Sequence, residues 1–92
     1  MDENAISKEI IKAVFKIQHA FGPGLLESVY EEILYTILVE KGLKVERQVS
    51  IPVRFQGKEL PAGFRADLII EDKLIVEIKS IEEIHPVQHK KS

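Results

Sequence analysis

The chain has 92 residues, no cysteine, 13 Lys and Arg against 15 Asp and Glu, and a formal net charge of −2. That length leaves room for a single domain, 1–92, near the lower limit for burying a core unaided, and the lack of cysteine excludes a disulfide framework or a thiolate zinc site. The mild acidity excludes a protein that coats nucleic acid by bulk charge, but not a nuclease, whose metal-holding carboxylates weigh on the acidic side.

In chain order, Ile6, Ile10, Val14 and Ile17 recur at steps of four, four and three, with Ile11, Phe15 and Phe21 broadening the stripe. This spacing predicts an amphipathic helix over 4–21. Asn4 is the expected N-cap, with Ser7 as a competing start. GPG at 22–24 ends the helix, because Pro23 cannot continue the hydrogen-bond ladder and the glycines reach unusual dihedrals. A second helix is expected over 25–41, apolar on Leu26, Val29, Tyr30, Ile33, Leu34, Ile37 and Leu38, and closed by a left-handed Gly42.

After Gly42 the period changes to two. Val45, Val49, Ile51 and Val53 take one face and Glu46, Gln48 and Ser50 the other, up to a turn at QGKE, 56–59. PAG at 61–63 suggests a bend or an edge, and FRADLIIEDKLIVEIKS reads as two strands joined around Asp72. The expected fold is α+β: two N-terminal helices packed on a mixed, mostly antiparallel sheet of about four strands, roughly 44–80. A locally basic tail, 85–92, reads as a solvated end rather than a phosphate contact. No apolar run is long enough to span a bilayer and MDENAISKEI has no signal-peptide pattern, so a soluble, cytoplasmic protein is expected.

Glu77 and Lys79 interrupt the apolar run LIVEIKS at a spacing of two, and so leave the strand on one side. A buried charge needs an opposite charge, hydrogen bonds or a metal. If Glu71 pairs with Ile75 across a three-residue turn, Asp67 faces Lys79, and Asp67, Glu77 and Lys79 share a face. A two-residue turn at Asp72 and Lys73 puts Asp67 on the opposite face instead. The sequence leaves both registers open. In the first, two carboxylates offer hard oxygen ligands suited to Mg²⁺ or Mn²⁺. Lys79 beside them is placed to orient or deprotonate an attacking water, or to stabilise charge on a phosphate. The competing account is a cross-strand salt bridge between Asp67 and Lys79, with Glu77 solvated.

Asp67, nine residues, then Glu77-Ile78-Lys79 resembles the D-x(n)-E-x-K motif of the PD-(D/E)XK nuclease superfamily. GLLESVY at 24–30 resembles the G-x-x-E-x-x-Y signature of the small GxxExxY proteins, a branch usually placed in that superfamily. The likeness spans residues 5–87. It implies a restriction-endonuclease-like core, with Asp67, Glu77 and Glu27 as metal ligands, the Ile78 carbonyl as a further one, and Lys79 as the catalytic lysine. It also implies Mg²⁺- or Mn²⁺-dependent hydrolysis of DNA phosphodiester bonds. Glu27 in a first helical turn equally complements the helix dipole.

Tyr30, one turn on, is expected either to hydrogen bond a site carboxylate or phosphate, or to pack on the core with its hydroxyl at the rim. Gln48 and Arg65 are expected to border the site, Arg65 near a phosphate. His85 and His89 have the spacing of a helical ligand pair, but Pro86 intervenes, and with His19 they read as surface residues rather than zinc ligands. GPG is no phosphate-binding loop, since it lacks the glycine spacing and the following lysine. Relative to the family, the sequence stops at HKKS before a further helix and strand, which leads to the expectation of a homo-oligomer. The alternative function is a non-catalytic, self-associating interaction module, or a truncated remnant of a nuclease-like protein.

Overall fold

The computed structural model describes residues 1–81; the basic tail with His85, Pro86 and His89 lies outside the described residues. Helix α1 runs Glu3–Phe21 and α2 Glu27–Glu40, followed by β1 (Val45–Phe55), β2 (Lys58–Ile70), β3 (Leu74–Val76) and the short α3 (Ile78–Ile81). Asp2, rather than Asn4 or Ser7, caps α1: its Oδ1 accepts from the Ala5 amide at 2.8 Å. An ionised acid gains there twice, from the hydrogen bond and from the positive end of the helix. GPG ends α1 as expected, with Gly22 at φ +71. Helix α2 starts later than expected, at Glu27, with Leu26 at its N-cap and no side-chain cap.

The other end of α2 closes through Gly42, at φ +87. The Gly42 amide donates to the Val39 carbonyl at 2.9 Å and the Leu43 amide to the Leu38 carbonyl at 3.2 Å, which satisfies the last helical acceptors. Leu38 and Leu43 are both buried, so this cap delivers the chain directly into the core.

The sheet order is β1-β2-β3, and both pairings are antiparallel. Phe55 pairs with Lys58 across a two-residue turn, Gln56 and Gly57, both at positive φ as a tight hairpin requires. The register shifts between Ile51↔Phe64 and Val53↔Leu60, so residues 61–63 form a bulge inside β2 rather than a break. The two ladder segments that flank it look like separate strands in the sequence, but the backbone runs through both. Gly63 is needed there, because a Cβ would meet the Ile51 carbonyl oxygen at 3.0 Å.

In the second hairpin Ile70 pairs with Leu74 and Leu68 with Val76. The turn has three residues, as in the first of the two registers considered, but the pairing differs from Glu71↔Ile75. Glu71 and Asp72 adopt φ +55 and +56, a costly choice for non-glycine residues. Lys44 holds them: its amide donates to Glu71 Oε2 at 2.6 Å and its Nζ to Asp72 Oδ2 at 2.8 Å. The Glu71 amide returns a bond to the Lys44 carbonyl at 2.8 Å. The segment after α2 is thereby laced to the turn after β2.

Ile6, Val14 and Ile17 of α1, Leu34 and Leu38 of α2, and Leu68, Ile70 and Val76 of the sheet form one core with Ile78. Each fully buried Leu or Ile contributes about 1.5–3 kcal/mol relative to exposure, which clamps α2 against β2. That clamp sets the distance between a helix face and the strand that carries Asp67. No helix among the described residues is long and apolar enough to cross a membrane.

Candidate functional site

Asp67 lies between Ala66 and Leu68, both fully buried, so packing fixes its backbone while its own side chain leaves by the other face. It is half-buried, and its Oδ2 accepts from the Ile78 amide at 2.8 Å. Were the register continued by one pair from Leu68↔Val76, Glu77 would stand opposite Asp67. Strand β3 stops at Val76, however, and α3 begins at Ile78. The carboxylate of Asp67 takes the amide with which the chain enters that helix. Lys79 therefore sits on α3 and is exposed, which corrects the expectation that it projects from a strand beside Glu77.

Gln48 borders Asp67 from β1. It has φ +49, between the pairs Arg47↔Leu68 and Val49↔Ala66. Its Nε2 donates to Glu31 Oε1 at 2.8 Å and lies 3.5 Å from Asp67 Oδ1. Glu31 Oε2 accepts from Arg47 Nε at 3.1 Å, and the Arg47 guanidinium stands 5.0 Å from the centre of the Tyr35 ring. Glu31 is 8 % exposed, and with a donor on each oxygen its burial is compensated. A hydrogen-bonded chain thus runs from Glu31 through Gln48 to Asp67 and on to the backbone of Ile78.

Glu31 is not among the candidates that the sequence singles out. Its signal was available: the buried residues of α2 are Tyr30, Glu31, Leu34 and Leu38, so an acid stands inside the helix's apolar stripe. Glu27, one turn earlier, is exposed, and its side chain makes no hydrogen bond or ion pair among the described residues. The helix carboxylate linked to Asp67 is Glu31. Tyr30 belongs to the core at 3 % exposure and lines a pocket of about 270 Å³ with Gln18, Gly22 and Pro23. Arg65 is exposed opposite Ser50, two residues before Asp67 and so on the same face.

The sequence model of the PD-(D/E)XK nuclease superfamily matches residues 4–91. The chain belongs to this superfamily. No curated protein and no solved structure matches it. This PD-(D/E)XK protein is a nuclease-like domain, and its two helices on an antiparallel sheet agree with the superfamily's core.

PD-(D/E)XK nucleases generally use divalent metals. Among the described residues no three His, Cys, Asp or Glu side chains come together as a metal-binding group. The donors present suit a sparser arrangement. Glu77 is half-buried and its carboxylate makes no hydrogen bond or ion pair among the described residues, while Asp67 Oδ1 has only the 3.5 Å contact from Gln48. Two carboxylates with lone pairs to spare, completed by water or phosphate oxygens, fit the habits of Mg²⁺, which seldom uses an all-protein cage.

Proposed function

We propose that this PD-(D/E)XK protein is a Mg²⁺- or Mn²⁺-dependent nuclease that hydrolyses DNA phosphodiester bonds in the cytoplasm. The observation that carries the reading is the 2.8 Å hydrogen bond from the Ile78 amide to Asp67 Oδ2, which ties the Glu77-Ile78-Lys79 segment to Asp67. Asp67 and Glu77 hold the ion in this reading. When bound, the ion supplies Lewis-acid polarisation of a phosphoryl oxygen and a more acidic water. Lys79 brings its ammonium to the phosphate and stabilises the negative charge that develops there. Arg65, on the face of Asp67, supplies a second cation for the DNA backbone. On the helix side Glu31, not Glu27, is bonded into the site.

Two measurements decide it. Millimolar Mn²⁺ or Mg²⁺ is expected to raise the thermal midpoint, since a ligand at about 100 times its Kd stabilises by about 2.7 kcal/mol, and Glu77→Ala is expected to remove the rise. No rise in the wild type overturns the metal reading. Plasmid cleavage is expected to need the metal and to fall by at least about 100-fold in Lys79→Ala, the scale of removing one charge-stabilising donor. Equal cutting by wild type and variant overturns the catalytic role. Self-association is proposed as well, and sedimentation equilibrium reads it directly: a single species at 10.5 kDa overturns it.

A further inference from the structure

Gln48 combines two features that need a common cause. A non-glycine residue at φ +49 inside a strand persists only where its surroundings over-determine it. The side-chain amide is over-determined in that way. Its Nε2 stands 2.8 Å from Glu31 Oε1 and 3.5 Å from Asp67 Oδ1, and an ionised carboxylate only accepts. Turning the amide over would set its Oε1 against two carboxylate oxygens. The donor end is therefore committed to both acids.

Glu31 is held just as firmly. Its second oxygen takes the Arg47 Nε at 3.1 Å, and Arg47 lies over the ring of Tyr35, one turn along the same helix. At the far end, Asp67 meets one N–H on each oxygen, from Gln48 on Oδ1 and from Ile78 on Oδ2. We propose that Glu31 and Gln48 are positioning residues for the metal-holding Asp67. The buried glutamate on α2 anchors the Gln48 amide, and the amide sets the plane of the Asp67 carboxylate and so which lone pairs it presents. This inference rests on the reading that Asp67 holds the ion. Partners behind a ligand commonly govern metal affinity in this manner.

The experiment measures Mn²⁺ affinity alone, by electron paramagnetic resonance of the free ion, in wild type, Glu31→Gln, Gln48→Leu and Gln48→Asn. Asn tolerates positive φ and keeps an amide, but is too short to bridge two carboxylates, so it separates the bridge from the backbone conformation. It also serves if Gln48→Leu fails to fold. Each single variant is expected to bind Mn²⁺ about 10-fold more weakly. Glu31→Gln combined with Gln48→Asn is expected to be no weaker than the worse single change, because both break one chain. A lowered melting temperature with wild-type Mn²⁺ affinity in folded Glu31→Gln and Gln48→Asn overturns this proposal and leaves the proposed function intact. Failure of the wild type to bind Mn²⁺ at all overturns both.

Discussion

A buried glutamate is stable only as long as its donors are. Arg47 provides one of the two for Glu31, but its side chain is 39 % exposed, so solvent screens part of the interaction. Arg47→Ala is therefore expected to lower stability by about 1 kcal/mol, below the 1.5–3 kcal/mol typical of a hydrogen bond to a charged group, as read from urea unfolding. The Lys44–Asp72 pair makes a pH signature at the same scale. Hydrogen bonding and charge attraction from Lys44 hold the Asp72 carboxyl below its ordinary value of 3.8. Its contribution is complete above 3.8 and disappears as pH falls through the lower folded value. Asp72 in turn raises the Lys44 amine above 10.5, so that contribution is complete below 10.5 and disappears as pH rises through the higher folded value. Asp72→Asn is expected to be less stable than wild type at pH 7 and to converge with it in strong acid; a pH-independent gap between the two urea midpoints would refute the assignment. Asp67 and Glu77 are legible as candidates because acids alternating with strand formers stand out. Glu31 was hidden by its neighbours, since an acid on an apolar stripe discloses its role only when the opposing strand and its two donors are known.

Elements whose ends are set locally are the most legible in the sequence. Both long helices follow from a 3.6-residue period and from glycine punctuation. Gly42→Ala tests that punctuation: no atom would meet the new Cβ, so the whole cost is the left-handed backbone, about 1 kcal/mol in urea unfolding. The end of β3 was illegible for the opposite reason. Leu74, Val76 and Ile78 continue a period of two past the true stop, and nothing local marks it. The stop depends on a carboxylate eleven residues earlier that takes the Ile78 amide. PAG, expected as a bend or an edge, is a bulge in a continuous strand, which has the same glycine and proline content as a turn.

At the scale of the molecule, the same packing that supports the site limits which variants can report on it. Leu34 is fully buried in the core cluster that joins both helices to the sheet. Leu34→Ala is expected to cost about 2–5 kcal/mol. Domains of this class have only about 5–15 kcal/mol in total, so that variant gives up a large share of its margin, and any loss of a metal response is expected to accompany unfolding. Circular dichroism at the assay temperature separates this from a defect in the site: a folded Leu34→Ala with no metal response would contradict the expectation.

Asp67 has two duties, and they fall due together. It faces the proposed ion with one oxygen and holds the first amide of α3 with the other. Truncating it to alanine therefore deletes a proposed ligand and releases the segment that carries Lys79 in a single stroke. A dead Asp67→Ala protein would be ambiguous evidence for metal catalysis, whereas Glu77→Ala, whose carboxylate makes no hydrogen bond among the described residues, asks the metal question alone.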